Sequence, residues 1–279
     1  IIKHGVKTLV GCWDFIEGLR HSLILRGEVF AGLNYTAQEI LSARLVSKMV
    51  LTVFDHRFGE AVASLESERL VILFSEKRLR KIVSDALLRF RFWKGNHDEW
   101  VEFDGHSSLA VFSRVLAETV TRGVEGCLST HGLTLEGVRG LVEEHLLYDS
   151  HHQLPSGLSL DIYHPHKGRT LTTSQRPQEA LRVSGSPLVF QANFHVALSV
   201  EEWSEKLGQR LCMQMGTIVS KTFFEEGNLK RLDVGVGIAR VFSKDGRIHR
   251  IETLFDTAEA QDELSNEAIL SGLCEELKI

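Results

Sequence analysis

The sequence predicts an α/β protein, and three observations carry that prediction. Apolar segments of strand length alternate with helical segments between residues 49 and 93, the β-α-β-α-β pattern of parallel strands joined by crossover helices. Polar residues collect where those strands end, at the edge where such sheets bind ligands. An alternating hairpin around Lys244-Asp245-Gly246-Arg247 follows later in the chain, with the Asp-Gly pair that a tight turn favours. At 279 residues the chain is long for one domain and short for two of full size. The expectation is one main domain over residues 49–279, preceded by an N-terminal helical extension over residues 1–48.

The elements follow in order. KTLVGCW (7–13) is a short apolar run, and IEGLRHSLIL and TAQEILSARLVSK carry helical spacing. MVLTVFD (49–55) reads as a buried strand, GEAVASLESE as a helix and RLVILF (69–74) as a second strand. EKRLRKIVSDALLRF is a helix over a stripe of Leu79, Ile82, Val83, Ala86 and Leu87, and it leads through the short strand RFW into KGNHDEW (94–100). SSLAVFSRVLAETVTRG is helical, VEGCLSTHG (124–132) reads as a strand, and LTLEGVRGLVEEHLLYD is helical again. GLSLDIYHPHKG (157–168) is a strand ending in two histidines, and residues 169–186 look like a loop. PLVFQANFHVALS (187–199) reads as a strand, VEEWSEKLGQRL (200–211) as a helix, residues 232–255 as the hairpin and residues 257–278 as a closing helix.

Composition narrows the function classes. Hydrophobic residues at 43% and charged residues at 25% are ordinary globular usage, so the chain is expected to fold throughout. A net charge of -5 argues against a general nucleic-acid coat, and only the basic helix 76–94 leaves nucleic acid as a partner. Cys12, Cys127, Cys212 and Cys274 are scattered, which fits reduced thiols in a cytoplasm rather than a disulfide scaffold or a zinc knuckle. No apolar run reaches the ~20 residues that span a bilayer. The start also lacks a signal-peptide pattern, so the expectation is a cytoplasmic protein with no membrane partner.

Chemistry concentrates at the predicted strand ends. Of thirteen histidines, His97, His131, His164 and His166 fall where a strand gives way to a loop. His164 and His166 alternate on an extended segment, so both rings point the same way. Two imidazoles beside carboxylate and amide oxygens suit Mn, Fe or Zn.

Gly95-Asn96-His97-Asp98, then Thr130-His131-Gly132, then Tyr163-His164-Pro165-His166 resemble, in order, three motifs of the calcineurin-like metallophosphoesterases. Where the family has two earlier motifs, Asp-x-His and Gly-Asp, the chain departs from them: it offers Phe54-Asp55-His56, without the spacer, and Ser75-Glu76. A second threading uses Trp13-Asp14 and Phe54-Asp55 instead, and Tyr163 stands where the last motif has glycine. The resemblance implies a two-sheet β-sandwich core flanked by helices, with a dinuclear metal centre, probed first with Mn, at the strand ends. It implies Asp55, Glu76, Asn96, His131, His164 and His166 as metal ligands. His97 would act on the leaving-group oxygen or the phosphoryl charge, with Asp98 orienting its ring. The implied activity is hydrolysis of phosphate mono- or diesters, with specificity set by loops 99–107 and 167–187 and with Trp93 and Trp100 available to stack on a base. The departures at the first two motifs keep a second function open: a catalytically impaired pseudoenzyme of the same fold, acting as a partner-binding scaffold.

Overall fold

A computed structural model of the chain describes residues 1–16, 34–67, 75–168, 170–217 and 233–257. The architecture is mixed α/β, in two compact units that divide between Ser150 and His151. Among the described residues, no helix is long and apolar enough to cross a membrane. The expected boundary at residue 48 falls inside a helix, and the first strand of the sheet lies within the expected extension. The predicted strand at 69–74 and most of the closing helix lie outside the described residues.

The first unit is built on a three-stranded parallel sheet in the order β1 (Thr8–Gly11), β2 (Arg89–Phe92), β3 (Leu146–Tyr148). Its longest helix, α1 (Tyr35–Ser67), starts at Asn34, whose side-chain oxygen accepts the Ala37 N–H at 2.9 Å. MVLTVFD, expected as a strand, is the middle of α1. Its local apolar run suggests β-structure, but the buried set Ala43, Val46, Val50, Val53, Phe54, Phe58 and Val62 has the 3–4-residue spacing of one helix face. α2 (Glu76–Ala86) leads into β2, which is followed by the one-turn α3 (Asn96–Glu99) and a 3-10 turn over Trp100–Asp104.

VEGCLSTHG is likewise helical. It continues α4 (Ala110–Thr130), whose buried Phe112, Leu116, Val120, Val124 and Leu128 recur every fourth residue. The buried carboxylate of Glu39 on α1 accepts the Phe112 N–H at 2.7 Å and so caps the start of α4. α5 (Val138–His145) then delivers the chain to β3. Phe15, Phe90, Phe92 and Phe112 meet edge-on, tilted or stacked with centroids 4.6–6.3 Å apart, a cluster that ties the sheet to α4.

The second unit holds a five-stranded sheet in the order β4 (His151–Gln153), β5 (Ser159–Tyr163), β6 (Leu188–Gln191), β8 (Gly208–Gln214), β7 (Leu198–Ser204). β5, β6 and β8 are parallel, and the two edge strands are antiparallel. Residues 169–186, expected as a loop, contain α6 (Gln175–Val183), with Pro177 tolerated in its first turn and Ala180 and Leu181 buried against Val189 and Cys212. VEEWSEKLGQRL is not a helix but a hairpin. Glu and Lys favour helix there, yet Gly208 at φ +75 turns the chain and β7 pairs with β8 throughout.

The predicted hairpin is present as β9 (Gly235–Lys244) and β10 (Arg247–Thr257), turning through Asp245 and Gly246 at positive φ. It packs on β8 on the face opposite α6, because Met213 faces Gly237 while its neighbour Cys212 faces α6.

Candidate functional site

The carboxyl edge of the first sheet is organised by two carboxylates. Asp14 follows β1 and Asp98 lies in α3, just after β2. Asp98 is fully buried, and its two oxygens take N–H groups from Phe15 (3.0 and 3.2 Å), Ile16 (3.0 Å) and Gly95 (2.7 Å). The His97 N–H donates to Asp14 Oδ1 at 2.8 Å. Gly95 has to be glycine because a Cβ there would lie 2.0 Å from Asp14 Oδ1 and 2.9 Å from its Cα. Burial, with the neighbouring Asp14 charge, raises the Asp98 carboxyl well above the ordinary carboxylate range, and the three backbone N–H groups offset only part of that. The GNHD turn therefore laces the loop after β1 to the loop after β2.

The side chains of the motif also have partners close by. Asp98 engages backbone, and the His97 ring stacks on Trp100, with centroids 4.1 Å apart and planes at 17°. Trp93 stacks on Tyr148 at 5.0 Å. Both tryptophans thus have ring partners within the protein. Asp14, which enters only in the second threading, is the carboxylate that reaches Gly95, and Asp55 is not.

Two other expected ligands sit on helices rather than at strand ends. Asp55 is in the middle of α1, and His131 closes α4 with its ring edge-on to Phe58 at 5.5 Å; Glu76 is the exposed first residue of α2 after its N-cap Ser75, and the strand expected before it lies outside the described residues. The cause is the long helical register of α1 and α4, which absorbs the segments expected to be strands. Asn96 does follow β2, and His164 and His166 do follow a parallel strand, β5. These two histidines belong to the second unit, so the expected ligand set is divided between the units. Among the described residues, no three His, Cys, Asp or Glu side chains are grouped as a metal ion requires.

Asp55 has a local partner instead. Burial, then a hydrogen bond and the charge of Asp55, push the Cys127 thiol up to about 11. Cys127 should therefore alkylate slowly with iodoacetamide at neutral pH, and Asp55→Asn should speed the reaction by lowering the thiol pKa. Equal rates in the two proteins would contradict this.

The carboxyl edge of the second sheet carries more chemistry than the sequence suggested. After β5 comes His164-Pro165-His166-Lys167, and after the adjacent β6 comes Ala192-Asn193-Phe194-His195. Asn193 and His195 hold φ of +82 and +53, left-handed backbone that Asn tolerates and that turns the chain after β6. The Asn193 side-chain amide donates to the Pro165 carbonyl at 2.6 Å and clamps one loop to the other. The Asp233 N–H donates to the His195 carbonyl at 2.9 Å, and its carboxylate accepts the Ala197 N–H at 2.9 Å. Asn193 and His195 were hidden because the alternation of PLVFQANFHVALS runs on through the loop. Asn193 was the one signal of a break.

A further polar group in the same unit resembles a nucleophilic relay in composition only. Asp161 accepts from the hydroxyls of Ser184 and Ser186 and from His151 Nδ1 at 2.7 Å. Ser186 is fully buried, and its hydroxyl meets the same ring nitrogen as Asp161, at 3.5 Å. A relay needs the two opposite nitrogens of the ring. Comparison with protein-family models, with curated proteins and with solved structures found no match for this chain.

Proposed function

We infer that this chain is a non-catalytic α/β binding protein in which the Gly95–Asp98 turn is a structural joint. The observation that carries this reading is the Asp98 carboxylate, fully buried and engaged by the backbone of Phe15, Ile16 and Gly95. A carboxylate held this way fixes the two loops to each other. Elemental analysis of Mn-treated protein, with an aryl phosphodiester assay, tests the reading. The expected result is no stoichiometric metal and no turnover above that of His97→Ala. A bound metal pair, with turnover that disappears in His97→Ala or His131→Ala, would overturn it.

The second reading is a dinuclear-metal phosphoesterase with the two-sheet sandwich that the motif resemblance implies. One observation favours it: His164 and His166 follow the carboxyl end of a parallel strand, where α/β sheets bind ligands. The same assay decides between the two.

A further inference from the structure

We propose that the free edge of β3 and the cavity beside it form a docking site for an extended segment of a partner polypeptide, which joins the first sheet as a strand and inserts one aromatic side chain. Among the described residues, β3 pairs with β2 alone. The Asp149 N–H donates to the Phe92 carbonyl at 3.1 Å and so points toward β2. Backbone groups alternate in direction along a strand, which turns the Leu147 N–H and carbonyl toward β2 as well and those of Leu146 and Tyr148 outward. The Leu146 N–H is taken up at the end of α5, where the Val142 and Glu143 carbonyls accept it. The Leu146 carbonyl and both backbone groups of Tyr148 remain for an incoming strand, the groups that strand addition uses.

The neighbouring side chains select what such a strand carries. Leu146 and Tyr148 share one face of the sheet, and with Phe92, Leu116 and Ala117 they line a cavity of about 270 Å³ between that face, α4 and α5. A cavity of about 150 Å³ holds benzene, so one phenyl or phenol side chain fits. The residue of an added strand that lies opposite Leu146 or Tyr148 projects to this same face. The Ser113 hydroxyl, also on the cavity wall, is buried with no hydrogen-bond partner among the described residues, and it suits the phenol of a tyrosine. Charge at the mouth selects the flanking residue. Arg139 donates to Glu143 at 2.8 Å, whereas Arg114 lies 3.7 Å from Glu118, too far for a hydrogen bond, with its side chain 61% exposed. Arg114 therefore presents its guanidinium donors to a carboxylate beside the aromatic residue.

This inference rests on the binding reading above and supplies its partner class, but it uses no residue of the Gly95–Asp98 turn. The test is selection of a random peptide library, displayed on phage, against the immobilised full chain and against its Ala117→Phe variant. Peptides enriched on the native chain should alternate β-branched residues around one Tyr or Phe, with an Asp or Glu within two positions. The synthetic consensus peptide should bind roughly tenfold more weakly to Arg114→Gln, as the loss of one charge-assisted contact does, and more weakly still to Ala117→Phe, whose ring fills the cavity. Methylation of its alternate backbone nitrogens should abolish binding in one register and spare it in the other, because only every second N–H of an added strand faces β3. The methylated peptides and the exposed Arg114→Gln keep the test decisive if Ala117→Phe fails to fold. No enrichment, or a consensus that tolerates methylation in both registers, would overturn the site. So would p-cresol binding as tightly as the peptide, which would leave only a small-molecule cavity, or a dimer that Ala117→Phe dissociates, which would assign the edge to a second copy. Metal content and phosphodiester turnover are separate readouts, so failure of the strand site and failure of the binding reading are distinguishable.

Discussion

Asp98→Ala is expected to lower the stability of the first unit by roughly 3–5 kcal/mol, because it strands the N–H groups of Phe15, Ile16 and Gly95 in a dry interior. The loss stays at the low end of what three orphaned donors cost, since the variant also removes a carboxylate that is expensive to bury. Denaturant unfolding followed by tryptophan fluorescence measures it, with Trp93 and Trp100 close to the turn. Asp98→Asn keeps the shape and one acceptor oxygen and should lose less.

The pH dependence of that pair of proteins carries a sign. The folded-state pKa of Asp98 is raised, so its contribution to stability is fully present below the unfolded carboxylate value of about 3.9 and is lost as pH rises through the folded value. The stability deficit of Asp98→Asn relative to the native chain should therefore shrink as pH is raised through that window. A carboxylate serving only to orient His97 would behave differently: its replacement would leave unfolding unchanged.

The sequence disclosed the α/β class, the position of the GNHD turn after a strand, the His164–His166 strand end and the closing hairpin. Each of these depends on local signals that no other part of the chain overrides. MVLTVFD and VEGCLSTHG were illegible in short windows, because their helical character appears only when Ala43 to Val62 and Phe112 to Leu128 are read as continuous faces. That one error of period placed Asp55 and His131 at strand ends that do not exist. The partner of the GNHD turn was harder to find for a different reason. Asp14 and Asp98 are 84 positions apart, and nothing in either segment says that β1 and β2 are neighbours until the parallel register from Thr8↔Arg89 to Gly11↔Phe92 brings them together.

Asp161 should give the opposite pH signature in the second unit. Its carboxylate holds the Ser184–Ser186 loop to β5 and reaches His151 on the edge strand β4. Arg210 braces the same loop from β8, donating to the Ser184 carbonyl at 2.8 Å and the Ser186 carbonyl at 3.0 Å and pairing with Glu202 at 2.8 Å. Burial works to raise the Asp161 carboxyl, but hydrogen bonds from Ser184, His151 and Ser186 outweigh it and hold the group below the ordinary carboxylate range. A lowered folded value means stability that is present above about 3.9 and is lost as pH falls through the folded value. Asp161→Ala should cost roughly 2–4 kcal/mol at neutral pH, since two buried hydroxyls lose their acceptor. Asp161→Asn should flatten the acid limb of the unfolding profile, whereas Asp98→Asn should steepen it by removing a contribution that grows on acidification. If both substitutions changed the acid limb in the same direction, the assignment of one carboxylate as raised and the other as lowered would be wrong for at least one of them. Amide hydrogen exchange, read separately at Phe15 and at Ser186, identifies which.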